Sequence, residues 1–293
     1  MENINGIVVI NKEKGFTSHD VVNVIRRIFS TRKVGHTGTL DPDATGVLPI
    51  CIGKATKIAD MLTFSDKSYV ARVRLGLTTD TQDISGEVLT TSDVNVSADA
   101  LEAAVKKFTG EIEQIPPMYS AIKINGQKLC DLARKGVEVE RKPRKITIYS
   151  AEVSDFDGTE FTLSVHCSKG TYIRTLCHDI GAYLDCGAVM CELERTESSI
   201  FNIENSYTLD ELRAMDSDKL LSCLRAVDSV FADYPELVLS DKLKKLFCNG
   251  VKCHIGAKEG TYRVYDKDGN FLAVAEVCRR DEKTVLKSIK SFY

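Results

Sequence analysis

Residues 35–49 read Gly35-His36-Thr37-Gly38-Thr39-Leu40-Asp41-Pro42-Asp43-Ala44-Thr45-Gly46-Val47-Leu48-Pro49, and the rest of the chain is best read outward from them. Three glycines, two prolines and three threonines surround one histidine and two acids. Glycine supplies backbone angles that other residues avoid, and each proline removes a donor and fixes its own φ, so the pattern predicts neither a regular helix nor a central strand. The expectation is a long, rigid, irregular loop of the kind that holds side chains in one place. Pro42 biases Asp41 towards an extended backbone. With apolar Leu40, Val47 and Leu48 nearby, that aspartate suits a nucleophile or a base partly shielded from water. Local chemistry alone leans to a plainer role, in which Asp41 and Thr37 only satisfy loop amides.

On the N-terminal side, Gly6 to Ile10 reads as a short buried strand, with no basic leader before it, rather than as a signal peptide or a membrane span. Ser18 is placed as the cap of a helix with Val21, Val22, Ile25 and Phe29 on one face. Downstream, Tyr69, Ala71, Val73 and Leu75 alternate with Arg72 and Arg74, a half-buried strand. Ser97 opens a helix carrying Leu101, Val105 and Phe108 and closed by Gly110. Phe161 to Cys167 is another strand. A Ser168-Lys169-Gly170 turn then leads into a helix with the stripe Ile173, Leu176, Cys177, Ile180 and Leu184, and Arg174 lies off that stripe near the helix start. Thr208 to Glu211 is a capping box for a helix running through Leu224. Tyr262 to Tyr265 and Phe271 to Val277 flank Lys267-Asp268-Gly269-Asn270, a hairpin signal. A boundary is placed near residue 235, dividing the chain into 1–235 and a small β-rich module, 236–293, that should dock on the larger part. The order of elements fits mixed α+β rather than repeated βαβ units.

Composition sets outer bounds. At 293 residues and 43% hydrophobic content the chain can bury a sizeable core. Ten cysteines without an export signal are read as reduced and cytoplasmic. Cys177-His178 with Cys186 and Cys191 raises a zinc question, but no C-x-x-C pair occurs, and apolar packing cysteines are the reading adopted. A net charge of −3 argues against a uniformly basic nucleic-acid protein, yet the charge is segregated. Tyr119 to Ile146 holds eight Lys/Arg against three Asp/Glu, and Lys242 to Tyr293 twelve against six, while the acids concentrate in 79–115 and 205–241. Such segregation can build a positive face on an acidic protein, although a charged run is also an ordinary solvated surface.

The opening stretch reverses its plainer reading when taken whole. Over fifteen consecutive positions it resembles the catalytic loop of the tRNA pseudouridine synthase B family, which isomerises a T-loop uridine. Further blocks agree in order: Asp66-Lys67-Ser68-Tyr69; Leu75-Gly76 with Thr79-Asp80-Thr81; Gln114-Ile115-Pro116-Pro117 with Tyr119-Ser120-Ala121; and Ser168-Lys169-Gly170-Thr171-Tyr172-Ile173-Arg174. The resemblance implies the pseudouridine-synthase fold, with a mixed, mostly antiparallel sheet, and a C-terminal RNA-binding domain of PUA type. It implies a reaction in which the N-glycosidic bond breaks, the uracil turns and the base rejoins through C5, with no metal or cofactor. The chain carries no phosphate-binding glycine loop or dinucleotide fingerprint.

The resemblance places the essential acid on Asp41, acting either as a nucleophile or as a base on a ribose proton. Arg174 matches the arginine that pairs with it, and a bidentate guanidinium there would orient the carboxylate and balance its charge. Tyr69 matches the tyrosine that stacks on the target base and assists proton removal at C5. Tyr172 and Leu193 match residues lining the uracil pocket. His36 matches a histidine that enters the space left by the flipped nucleotide. Lys12 matches a lysine beside the site with a structural part, and Lys123, Arg141 and Arg144 fall in the segment expected to touch RNA phosphates. Alone, each of these types has an ordinary structural role in a core, loop or solvated face.

Two departures stand outside this catalytic set: Leu193-Glu194-Arg195-Thr196 replaces the usual Leu-Arg-Arg-Thr, and Val189 stands where histidine is common. The expectation is a stand-alone, monomeric, cytoplasmic enzyme acting on the tRNA T-arm, with no membrane and no obligatory protein partner. The alternatives are an RNA-binding or tRNA-folding factor and a guide-RNA-dependent synthase subunit.

Overall fold

The computed structural model describes residues 4–124, 126–280 and 283–293. Before residue 235 the strands are β1 (Gly6–Lys12), β2 (Val34–His36), β3 (Thr45–Ile52), β4 (Lys67–Leu75), the small pair β5 (Leu77–Thr79) and β6 (Val88–Thr91), β7 (Gly110–Gln114), a second small pair β8 (Lys123–Ile124) and β9 (Gln127–Lys128), β10 (Arg144–Ser154), β11 (Glu160–Cys167), β12 (Ala188–Ser198) and β13 (Phe201–Asn202). Nine of these form one sheet in the order β1-β3-β12-β4-β11-β10-β7, with β2 added to β3 and β13 to β12. Every pairing in it is antiparallel except β3 with β12.

Seven helices accompany them: α1 (Ser18–Ile28), α2 (Ala59–Thr63), α3 (Ala98–Lys107), α4 (Leu129–Ala133), α5 (Ile173–Tyr183), α6 (Leu209–Ala214) and α7 (Ser217–Ser222). The alternation in β4 buries Tyr69, Ala71, Val73 and Leu75 and leaves Arg74 exposed. Against that face lie Val21, Val22 and Ile25 of α1, Leu101 and Val105 of α3, and Leu176, Cys177 and Ile180 of α5, all in one buried cluster. Burial of each large aliphatic side chain contributes roughly 1.5–3 kcal/mol, and this cluster fixes where the ends of α1 and α5 stand relative to the sheet.

Three local expectations change. The helix cap is Thr17, whose hydroxyl accepts from Asp20 N (3.1 Å) while the Asp20 carboxylate accepts from Thr17 N (3.0 Å). Ser18 is buried in the first turn, and its hydroxyl bonds both the amide (2.9 Å) and the carbonyl (3.1 Å) of Leu40. The helix begun at Thr208 ends at Ala214, because Asp216 starts a new cap by accepting from Lys219 N.

The third change concerns residues 45–49, which form the first half of β3, flanked by β1 on one side and by β2 and β12 on the other. Pro49 is tolerated there because β2 pairs only Ile50 to Ile52 and β12 only Thr45 and Gly46. Between them, the Pro49 carbonyl accepts from the Thr37 amide (3.1 Å) and hydroxyl (3.4 Å), so that edge meets a turn, where no ladder needs the missing N–H.

After residue 235 the strands β14 (Glu236–Val238), β15 (Cys253–His254), β16 (Gly260–Tyr265), β17 (Phe271–Arg280) and β18 (Lys283–Ser291) form their own sheet, order β14-β16-β17-β18-β15, with α8 (Asp241–Cys248) beside it. The β16–β17 turn is built on buried Asp266, which accepts from the amides of Asp268 and Asn270 and pairs with Lys244 at 2.7 Å. Val274 and Phe292 share a buried cluster with Ile7, Val9, Val47 and Cys51 of the large sheet. Lys57 Nζ donates to Ser291 O at 2.6 Å and Lys290 pairs with Asp60 at 3.0 Å across the same contact. Among the described residues no helix is long and apolar enough to cross a membrane.

Candidate active site

Asp41 sits between β2 and β3 on a backbone held at both ends. Buried Lys12 donates from Nζ to the carbonyls of Glu13 (2.9 Å), Phe16 (2.7 Å) and Pro42 (3.0 Å), and Gly15 N donates to the same Pro42 carbonyl at 2.8 Å. Burial lowers the Lys12 pKa to about 8, against the pull of Asp43 and Asp41. Ser18 fixes Leu40, the residue before Asp41. Ala44 N donates to Asp41 O at 3.1 Å and closes the turn. The loop is therefore preorganised without help from a ligand.

Arg174, at the start of α5, is 7% exposed although it lies off the apolar stripe. Its Nη2 meets Asp41 Oδ2 at 2.9 Å and donates to Tyr119 O at 2.8 Å. Its Nη1 meets Asp83 Oδ2 at 3.3 Å and Thr81 O at 3.1 Å. The expected two-point fork on Asp41 is thus a single contact, because the rest of the guanidinium is taken by a second carboxylate and two carbonyls. The Asp41 side chain remains 47% exposed, against 8% for Arg174, so a fixed cation presents a carboxylate that a substrate can reach.

Tyr69 faces inward on β4, opposite Arg195 of β12. Burial pushes its phenol up, and the charge of Arg195 and a hydrogen bond from it oppose that. Tyr172 precedes α5, with its peptide clamped by buried Gln114: Tyr172 N donates to Gln114 Oε1 (2.8 Å) and Gln114 Nε2 to Tyr172 O (3.0 Å). The charge of Asp41 acts on both tyrosines and that of Arg174 on Tyr172, so the four stand close together. Leu193, half-buried on β12, pairs with Ala71 of β4, and its carbonyl accepts from Thr45 at 3.5 Å. His36 ends β2, with its pKa lowered by burial and Nδ1 without a hydrogen bond among the described residues.

The basic candidates separate. Arg144 opens β10 opposite Gln114, exposed and close enough for its charge to act on Tyr172. Lys123 is exposed on β8. Arg141 is committed elsewhere: Nη2 meets Glu138 at 2.8 Å and Nη1 donates to Pro116 O at 3.3 Å.

Four residues that the site uses have roles that sequence reasoning missed: Ser18 in its loop contact, Asp83, Gln114 and Arg195. Gln114 lies inside one of the matching blocks and Asp83 two positions beyond another. Arg195 carries the clearest overlooked signal, since alternation along a strand puts it on the face of Leu193.

The model of the TruB family of pseudouridylate synthases, N-terminal domain, matches residues 26–173, and that of the tRNA pseudouridylate synthase B C-terminal domain matches 174–232. The chain belongs to the TruB family of pseudouridylate synthases. Relatives named tRNA pseudouridine synthase B include that of Clostridium kluyveri, 45% identical over 92% of this chain and 95% of its own, and that of Clostridioides difficile, 43% identical over 99% and 100%. Among solved structures, a chain of a Cbf5-Nop10-Gar1 complex superposes with a TM-score of 0.72 and 27% identity, covering 98% of this chain and 85% of that one. Family membership makes the chain an isomerase.

Proposed function

We propose that this enzyme converts a uridine in the T-loop of tRNA to pseudouridine, acting on a nucleotide flipped out of its stack. The observation that carries the reading is the contact of 2.9 Å between Arg174 and a half-exposed Asp41 on a loop tied down at Leu40 and Pro42. Asp41 serves as the essential acid, as a nucleophile or as a base on the ribose proton, and both roles use a carboxylate oriented as this one is. Tyr69 lies beneath the base and takes the C5 proton, while Tyr172 and Leu193 line the pocket. His36 fills the gap left by the flipped base. The relatives named tRNA pseudouridine synthase B, at 43–46% identity, support tRNA as the substrate.

Residues 1–235 form the catalytic domain in this reading, and 236–293 a PUA-like RNA-binding domain. The separate sheet after residue 235 and its excess of Lys/Arg support the division. Lys123 and Arg144 meet phosphates. The enzyme works as a monomer without guide RNA or partner protein. The direct test is incubation of purified protein with unmodified tRNA transcript alone, followed by mapping of pseudouridine. One modified T-loop uridine is expected. No product without added proteins or guide RNA, or product elsewhere in the tRNA, overturns the reading.

A further inference from the structure

Arg195 heads the fully buried side chains of the described residues by size, at 1% exposure, and it is held by carbonyls. Its Nε donates to Val47 O at 2.7 Å and its Nη2 to Gly38 O at 3.3 Å. Those two carbonyls lie on either side of Asp41 in the chain. The backbone of Arg195 is equally close to the loop. It pairs with Gly46 of β3 and with Tyr69 of β4, and a Cβ on Gly46 would stand 2.2 Å from Arg195 O. Gly46 has φ +97°, so glycine is required there on both counts.

No carboxylate forms an ion pair with Arg195 among the described residues. A buried cation without a counter-charge is costly, and an apolar side chain of similar length would pack the same space at lower cost. The guanidinium is therefore retained for what it touches. Besides the two carbonyls it stands beside Tyr69, its register partner on β4, and its charge acts on that phenol. Its charge also acts on Lys12, Lys67 and His36.

We propose that Arg195 is a positioning residue for the isomerisation, holding both flanks of the Asp41 loop beside its strand partner Tyr69 and setting a positive charge against the tyrosine oxygen that accepts the C5 proton. The proposal rests on the reading of Tyr69 given above. In the step concerned, the C5–C1′ bond has formed and the deprotonated Tyr69 oxygen takes the proton from C5. The C5–H electron pair becomes the C5–C6 double bond, the N1–C6 π pair moves to N1, and N1 takes a proton from water. The phenol then returns its proton to the hydroxide so formed. A fixed guanidinium favours the oxygen in the form that accepts.

Arg195→Gln keeps a donor for a loop carbonyl and removes the charge, whereas Arg195→Lys keeps the charge and loses the planar fork. Single-turnover rates on saturating tRNA transcript, measured across pH beside Tyr69→Phe and the parent, read the difference. Arg195→Gln should move the rise of rate with pH upward by about one unit, roughly a tenfold loss at neutral pH that alkaline pH restores. Arg195→Lys should be slower with the profile in its parental position. An unshifted Arg195→Gln profile, including an equal loss at every pH, overturns the proposal and leaves Arg195 a structural residue. Should Arg195→Gln fail to fold, Arg195→Lys carries the test, and a displaced profile in that variant overturns it. A Tyr69→Phe protein as fast as the parent overturns the reading of Tyr69 instead, whereas an inactive Tyr69→Phe beside an unshifted Arg195→Gln removes Arg195 alone.

Discussion

The loop that presents Asp41 and the segment 121–143 that presents Lys123 and Arg141 both run between sheet strands beside the site, and they are held in opposite ways. The first is tied at Gly38, Leu40, Pro42 and Val47 by buried groups from β1, α1 and β12. In the second, among the described residues between 121 and 143, Leu129 alone is buried, and the regular structure is a two-residue hairpin and a single helical turn. Under the proposed function the difference follows from what each does. Bond-breaking chemistry needs a carboxylate in one place, where an error near 1 Å costs roughly a hundredfold. Phosphate contact needs charge within reach and tolerates many geometries. The Asp41 loop is built on long-range contacts, and the basic segment has few of them.

The sharpest way to break this contrast is Asp41→Asn, which should abolish isomerisation while tRNA affinity stays near that of the parent. Asp43→Asn, on the same loop but outside the Arg174 contact, should be nearly silent. Turnover by Asp41→Asn at a parental rate in a single-turnover assay would end the assignment.

Arg174→Lys comes next. An ammonium cannot serve two carboxylates and two carbonyls at once, so the saturated rate should fall about a hundredfold, equivalent to roughly 3 kcal/mol. Loss of buried donors to Thr81 and Tyr119 should also lower stability by about 1–3 kcal/mol in denaturant unfolding. A rate loss under about fivefold would mean that the contact is not catalytic.

Lys12→Met tests the tether itself. Loosening Pro42 should slow the reaction about tenfold or more. Lys12 titrates at about 8 in the fold against the ordinary 10.5, so between those values the unfolded chain binds more protons and parental stability rises with pH. The melting difference between parent and Lys12→Met should be flat below that window and widen through it in the parent's favour. A constant difference would show that Lys12 is not the desolvated cation described.

The smallest effects belong to the basic side chains Lys123, Arg141 and Arg144. Lys123→Ala and Arg144→Ala should each weaken tRNA binding roughly threefold to tenfold and lower the salt slope by about one, at unchanged saturated rate. Arg141→Ala, already paired with Glu138, should change affinity less than about twofold. Equal losses at all three positions would show that Arg141 leaves Glu138 when RNA binds.

Local pattern alone determined a good part of this protein. The alternation of Tyr69 to Leu75 set the buried face of β4, and the Lys267–Asn270 turn set the hairpin. These properties are carried by backbone angles and by a period of two or of 3.6, which neighbouring residues settle among themselves. Tertiary structure decided what local pattern does not encode. Pro49 entered a strand because its neighbours leave a gap there, and the Arg174 fork was divided by Asp83 and by the carbonyls of Thr81 and Tyr119. Arg195 moved from a peripheral block to the flanks of the Asp41 loop, reaching across 157 residues to Gly38 and 148 to Val47. Partners that distant are chosen by strand register and burial, and neither is set until the sheet has closed.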